Sequence, residues 1–226
     1  MTIHPVAFFH SPLTSKFGTP RQSGIVGELR GEIVFCPEYR SPDFVRGIEG
    51  FDYLWLLWHF SSNRPGAVRA TVRPPLLGGN MSLGVFATRS PYRPNPIGLS
   101  SVRLEHIEYT DSRGPVIHVS GADLIDGTPI LDIKPYVEYA DSHVGVRSGF
   151  VDEREWRRLR VVFEGDVASS LSDSERQTLE QLLSLDPRPH YHDDPGRVYG
   201  MPYGGRDVRF RVDGDVLTVI AIVGGL

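Results

Sequence analysis

The stretch Val102–Tyr109, "VRLEHIEY", interleaves the apolar Val102, Leu104 and Ile107 with Arg103, Glu105 and Glu108. Successive side chains of a β-strand point to opposite faces, so this alternation describes a strand with one face in a core and one in water. Segments of similar character, broken by Gly and Pro, fill the first 140 residues: Val6–His10, Glu32–Phe35, Tyr53–Phe60, Val68–Val72, Leu83–Thr88, Val116–Ser120 and Ile130–Tyr136. Only a short turn near Asp43–Arg46 reads as helical there. Strands spaced in this way predict a barrel or sandwich rather than a doubly wound sheet.

The texture changes from about Asp141. "SHVGVRSGF" reads as a connection, and charges then thicken through Asp152–Arg160. Asp173–Leu185, "DSERQTLEQLLSL", is the clearest helix of the chain: a Ser or Asp N-cap, acidic groups in the first turn, and one apolar stripe of Leu179, Leu182 and Leu183. The prolines of "DPRP" stop it. Val208–Arg211, Asp213-Gly-Asp215 and Val216–Ile222 then read as a β-hairpin. A small α+β appendage after an all-β body is the organisation expected.

The chain has 226 residues, a hydrophobic content of 40% and a formal net charge of −4. A uniformly basic nucleic-acid binder has a different balance, so a nucleic-acid substrate requires a local basic surface. Arg64, Arg69, Arg73, Arg89 and Arg93 supply one, with no acid between them. The alternative is a set of solvated arginines scattered over the surface. The single cysteine, Cys36, leaves no intramolecular disulfide framework and no cysteine-rich zinc site. No apolar run has the length of a bilayer span, and the start "MTIHPVAFFHSP" lacks a secretory signal pattern, so a cytoplasmic location without membrane is expected.

The common nucleotide and phosphate loops, G-x-G-x-x-G and G-x-x-x-x-G-K-[ST], are missing, as is the G-x-S-x-G elbow. "HYHDD" at His190–Asp194 offers donors but has no second cluster at ligand spacing, so no metal is expected. Four clusters carry polar groups on Gly/Pro-rich connections. They are "FGTPRQSG" (Phe17–Gly24), "DYLWLLWHF" (Asp52–Phe60) with Ser61 and Ser62, "GVFATRSPYRPNPIG" (Gly84–Gly98) and "GADLIDGTPILDIKPY" (Gly121–Tyr136). Loops on a rigid scaffold are the usual place for a site. Each also has a plain structural reading: Asp126-Gly127-Thr128-Pro129 as a turn, Trp55 and Trp58 as core or interface, Arg21 as a surface residue.

"FGTPRQSG", "TVRPPLLGGN", "GVFATRSPYRPNPIGLS" and "DGTPILDIKPY", in this order and followed by "LLSLDPRPHY", resemble the TsaA-like (TrmO-type) family of S-adenosylmethionine-dependent tRNA methyltransferases. The resemblance spans nearly the whole chain. It implies a mainly β fold, a TsaA-like β-barrel over residues 1–145 that binds S-adenosyl-L-methionine without a Rossmann fold, and a small α+β domain over 146–226. It further implies a homodimer and a tRNA partner bound through its anticodon loop. The implied product carries a methyl on N6 of threonylcarbamoyladenosine at position 37 of threonine tRNAs. Cofactor contacts carried over are Pro20, Arg21, Gln22, Arg89, Ser101 (after a Gly98-Leu99-Ser100 turn) and the segment Ala122, Asp123, Leu124 and Ile125. Ser61 and Ser62 stand where related sequences carry His-Gln, which leaves backbone contacts there.

The residues themselves suggest further roles. Methyl transfer from a sulfonium depends on alignment, and three prolines within Pro91–Pro96 stiffen the loop that would provide it. Asn95, fixed between Pro94 and Pro96, is the candidate acceptor that holds the N–H of the attacking nitrogen as its proton leaves, through its side-chain carbonyl or a neighbouring backbone carbonyl, or else merely shapes the turn. Arg69, Arg73 and Arg93 are candidates for tRNA phosphates. Tyr92 is a candidate for stacking on an anticodon-loop base or packing on a partner subunit. The rival readings are the same barrel acting on a small-molecule or protein acceptor, and a barrel that binds RNA or a nucleotide without chemistry.

Overall fold

The computed structural model describes residues 2–64, 66–74, 77, 81–152, 157–189 and 194–224. The strands in chain order are β1 Ala7–His10, β2 Arg30–Phe35, β3 Tyr53–His59, β4 Thr71–Val72, β5 Leu83–Gly84, β6 Ile97–Thr110, β7 Gly114–Ser120, β8 Thr128–Pro135, β9 Arg160–Phe163, β10 Tyr199–Tyr203, β11 Arg206–Asp213 and β12 Val216–Gly224. Two helices, α1 Glu138–Asp141 and α2 Asp173–Ser184, accompany several 3-10 turns, one of them at Pro42–Val45 where a helical turn is expected.

Six strands close into a barrel in the order β1-β2-β7-β6-β3-β8. Its interior is filled by the apolar side chains that the alternation selects, among them Phe9, Ile33, Leu54, Leu56, Val102, Ile117 and Ile130. Leu104 and Ile107 both pack against this core although they are three residues apart. A strict two-residue period would send them to opposite faces. A β-bulge in the β6–β7 ladder between Leu104 and His106 restores the phase.

Strand β6 begins five residues earlier than Val102. Gly98, Leu99 and Ser100 pair with Trp58, Leu57 and Leu56 of β3, so they form ladder rather than the expected turn. The Trp58 ring explains why a glycine is tolerated in this strand. A Cβ on Gly98 would lie 2.2 Å from the indole Cε2, so the ring occupies the space a side chain would take. Two other expected strands shrink. Val68–Val72 reduces to β4, and Leu83–Thr88 reduces to β5 followed by a 3-10 turn at Val85–Ala87.

A second sheet, ordered β10-β11-β12-β9, carries α2. The helix begins with a capping box: the Ser172 hydroxyl accepts from the Glu175 N–H at 3.3 Å, and Glu175 Oε2 accepts from the Ser172 N–H at 2.9 Å. Leu179, Leu182 and Leu183 are its buried stripe, as the sequence spacing predicts. The β11–β12 hairpin turns at Gly214-Asp215, with Gly214 at φ +54°, a region that favours glycine. The core of this second sheet also takes in Leu13, Val26 and Leu29, which precede β2 in the chain. The early segment Leu13–Leu29 thus touches both layers, and it contains Pro20, Arg21 and Gln22.

Candidate functional site

The β7–β8 connection, residues 121–127, meets the 20–24 segment at one end of the barrel. One backbone bond fastens them, the Gly24 N–H donating to the Gly121 carbonyl at 2.8 Å, and the Gly121 N–H in turn donates to the Leu29 carbonyl just before β2 at 2.9 Å. Asp123 projects into this junction. Its carboxylate accepts from the Ser100 hydroxyl at 2.5 Å and from the backbone N–H of Ser23, and Arg89 acts on it electrostatically. Burial dominates and pushes the Asp123 carboxyl above the usual carboxylate range, while these donors and Arg89 pull it down.

Arg89 closes the ring of contacts by donating through Nη1 to Gln22 Oε1 at 2.5 Å. Lys16 extends it to the loop after β3: its Nζ donates to the Ser62 carbonyl at 3.0 Å and to Asn63 Oδ1 at 2.5 Å. The Asn63 Nδ2 is buried and makes no hydrogen bond among the described residues. Beside Lys16 and Pro20, a cavity of about 170 Å³ is lined also by Arg21, Ile25, Leu182, Leu185 and Asp186. Desolvation there lowers the Arg21 guanidinium from its ordinary value, and Asp186 acts in the opposite direction.

Some of the residues named from the sequence lie together here. Pro20, Arg21, Gln22, Arg89 and Asp123 are brought to one end of the barrel by the contacts above. Ala122 and Leu124 commit their side chains to the barrel core, leaving their backbone for contacts, and the Ile125 carbonyl already accepts from Thr128 Oγ1 at 2.7 Å. The Ser62 carbonyl belongs to Lys16, and Ser61 is exposed. Ser101 sits opposite Trp55 on β3, on the other face of β6 from the buried Ser100. Ser100, the residue that reaches Asp123, is not among the residues expected from the sequence. The missed signal is parity: once β6 is extended, Ser100 shares its face with Val102.

The stiff loop divides its groups. Arg69 and Tyr92 meet, with the guanidinium 4.7 Å from the ring centroid and the Arg69 N–H donating to the Tyr92 carbonyl at 3.0 Å. Arg93 folds back to donate to the carbonyls of Thr88 at 3.1 Å and Ser90 at 3.3 Å, so it braces its own loop. Arg73 is exposed. Asn95 is exposed too, and its backbone carbonyl accepts from the Ile97 N–H at 2.7 Å. The Pro96 carbonyl likewise accepts from Phe60, so the loop's backbone acceptors at Asn95 and Pro96 are in use. From Tyr53 through Leu104 there are six arginines and not one Asp or Glu, a local run of positive charge in a chain whose formal net charge is −4.

Among the described residues, no group of three or more His, Cys, Asp or Glu side chains is arranged to hold a metal ion. The expected weak donors His190 and His192 lie outside the described residues. No described helix is long and apolar enough to cross a membrane.

The model of the tRNA-methyltransferase O N-terminal domain matches residues 8–142, and that of the TrmO C-terminal domain matches residues 157–225. The chain belongs to the TrmO family. It is 37% identical over 226 residues to the tRNA (adenine(37)-N6)-methyltransferase of Escherichia coli, covering 96% of this chain and 95% of that one. It is 38% identical over 232 residues to a putative S-adenosylmethionine-dependent methyltransferase of Pseudomonas aeruginosa, covering 99% and 98%. A crystal structure of TrmO from Pseudomonas aeruginosa superposes with a TM-score of 0.80 at 31% identity, covering 99% of this chain and 98% of that one. The TrmO-type barrel expected from the motifs is therefore the fold observed.

Proposed function

We propose that this TrmO-family enzyme transfers a methyl group from S-adenosyl-L-methionine to N6 of threonylcarbamoyladenosine at position 37 of threonine tRNAs. Family membership makes it a tRNA (adenine-N6)-methyltransferase; the modified base and the tRNA set are the finer part of the reading. The observation that carries it is the gathering of Gln22, Ser23, Arg89 and Asp123 at one end of the barrel, Arg89 bonded to Gln22, the Ser23 N–H bonded to Asp123, and Arg89 within electrostatic reach of that carboxylate.

The donor set suits the cofactor. S-adenosylmethionine carries a carboxylate, two cationic centres and ribose hydroxyls; the site offers Arg21, Arg89 and Lys16, one buried carboxylate, and the Nδ2 donor of Asn63. Arg21, Gln22 and Arg89 would hold it, with Asp123 and the backbone of Ala122–Ile125, and Ser61 and Ser62 bordering it through their backbone. When bound, the cofactor supplies a methyl group on a positively charged sulfur. The protein's part is alignment, which contributes on the order of 7–11 kcal/mol in well-oriented reactions. The Pro91–Pro96 loop, braced by Arg93, provides a fixed edge for it. The side-chain carbonyl of Asn95 holds the N6–H by a hydrogen bond in this reading, as the proton leaves to solvent. Arg69, Arg73 and Tyr92 face the RNA, with Arg93 sharing its charge with the loop it braces. Residues 1–145 form the cofactor-binding unit and 146–226 the accessory unit, acting in the cytoplasm.

Mass spectrometry of tRNA nucleosides after incubation with protein and cofactor should show threonylcarbamoyladenosine gaining one methyl. Raised salt should suppress the gain, because phosphate contacts release counterions. Asn95→Ala should lower the yield while cofactor binding persists. A methyl on a different base or none, a flat salt response, or an unchanged Asn95→Ala yield would each remove the corresponding part of the reading.

We also take the working unit to be a homodimer. Phe86 is 77% exposed, and Leu99 is 51% exposed on the outer face of β6 beside Ile97, apolar surface that a second copy would cover. Sedimentation at micromolar concentration should report twice the chain mass; a single-chain mass would overturn this.

A further inference from the structure

Ser100 is almost fully buried and bridges two groups that lie on opposite sides of it. The Trp58 indole N–H is 3.0 Å from the Ser100 Oγ, and that oxygen is 2.5 Å from Asp123 Oδ1. The direction of this chain is fixed by chemistry. An indole nitrogen can only donate, so the hydroxyl accepts from Trp58; its own proton is then left for the carboxylate, which when ionised can only accept. Gly98 makes the arrangement possible, since the absence of a side chain lets the Trp58 ring lie flat over β6 and reach along it to Ser100.

Asp123 passes the constraint onward. The same carboxylate receives the Ser23 N–H, and Arg89, the one charged side chain found acting on it among the described residues, is itself bonded to Gln22. The segment Gln22–Gly24 is thereby clipped to the β7–β8 connection at two places, through Asp123 and through the Gly24 to Gly121 backbone bond. Hydrogen bonds in series polarise one another, so the indole strengthens the hydroxyl as a donor to the carboxylate.

We propose that Ser100 is a positioning residue of the cofactor site: it relays the Trp58 N–H to Asp123, and Asp123 in turn holds the Pro20–Ser23 segment and Arg89 in binding register. This rests on the S-adenosylmethionine reading given above. Ser100 itself need not touch the cofactor; it acts through the carboxylate. Loss of its hydroxyl removes a donor that favours the charged form of Asp123, so Asp123 then ionises only at higher pH.

Calorimetric titration of S-adenosylmethionine across acidic to neutral pH tests the relay. The unsubstituted protein should bind, with affinity falling on the acidic side as Asp123 takes up a proton. Ser100→Ala should bind about tenfold more weakly near neutral pH, the loss expected for one hydrogen bond to a charged group. Its acidic limb should also move to higher pH. Ser100→Thr, which keeps the hydroxyl, should restore both. A purely structural role would lower the Tm of Ser100→Ala while leaving affinity and limb where they were, and that result overturns the proposal. Should Ser100→Ala fail to fold, Trp58→Phe keeps an aromatic ring but not the N–H: a limb displaced upward supports the relay and an unmoved limb overturns it. Failure of the unsubstituted protein to bind would overturn the site reading itself, and is seen before any variant is made.

Discussion

Asp123→Asn is expected to weaken S-adenosylmethionine binding by about ten- to a hundredfold, the range for losing hydrogen bonds to a charged group. The reason is the donor count around the carboxylate. Ser100, the Ser23 N–H and the backbone of Asp123 itself all donate to it, and Arg89 lies within electrostatic reach. An amide offers one oxygen where the carboxylate offers two, so one donor must then face the NH2 group. Removal of the negative charge also releases Arg89 from the side that faces Asp123.

The same variant has an expected signature in stability against pH. Burial raises the Asp123 carboxyl above its ordinary value, so the folded protein holds this proton to higher pH than the unfolded chain. In that window the folded state binds more protons, and stability contributed by this group falls as pH rises. Asparagine has no proton to lose. The Tm of Asp123→Asn relative to the unsubstituted protein should therefore move upward as pH rises from the ordinary carboxylate range through the raised value, and stay level below it. Parallel curves would show that Asp123 is not ionising in a desolvated site; unchanged cofactor affinity would remove it from the binding machinery.

Gly98→Ala should be a damaging substitution in the barrel. A Cβ there would lie 2.2, 2.4 and 2.6 Å from three atoms of the Trp58 ring, which cannot bend away as a flexible chain end would. The ring is also held by Phe60, at 4.2 Å between centroids, and by its bond to Ser100. Overpacking of this kind typically costs about 1–3 kcal/mol. For a chain of this size each kcal/mol lowers Tm by about 2–4 °C. The displaced indole should also leave Ser100, so cofactor affinity should fall in step. A double-mutant cycle with Trp58→Phe separates the cause, since the two losses should be less than additive when the ring contact is responsible. Additive losses would place the damage elsewhere.

These two residues also show where the sequence stops being readable. Gly98-Leu99-Ser100 has the composition of a turn, because glycine is unfavourable in a strand. It is strand because β3 pairs with it along the continuous ladder from Ile97 to Arg103, and because Trp58 fills the missing side chain's space. The difference extends to the site: a strand begun at Val102 leaves Ser100 in a turn, whereas the longer strand turns it inward. Strands β9 and β10 escape the sequence pattern for a related reason. Both lie at edges of the second sheet, and β10, "YGMPY", contains a glycine and a proline, which weaken a strand signal in the sequence and are readily accommodated at an edge. Arg93 shows the converse, since nothing in its sequence neighbourhood distinguishes a free arginine from one that braces its own loop.

The sequence by itself determined whatever depends on near neighbours. Helix α2 is written in its capping box and leucine spacing, the β11–β12 turn in Asp-Gly-Asp, and most barrel strands in their alternation. The motifs also contain Pro20, Arg21, Gln22, Arg89 and Asp123, although no contact between them is visible in the sequence. Only the tertiary structure decided which face each strand turns inward, because side chains change face at every residue and the register is set by partner strands far along the chain. It alone turned Ser100 toward Asp123 and buried that carboxylate beside Arg89. Desolvation is a property of the surroundings, and those surroundings come from β3, β6, the β7–β8 connection and the 20–24 segment together.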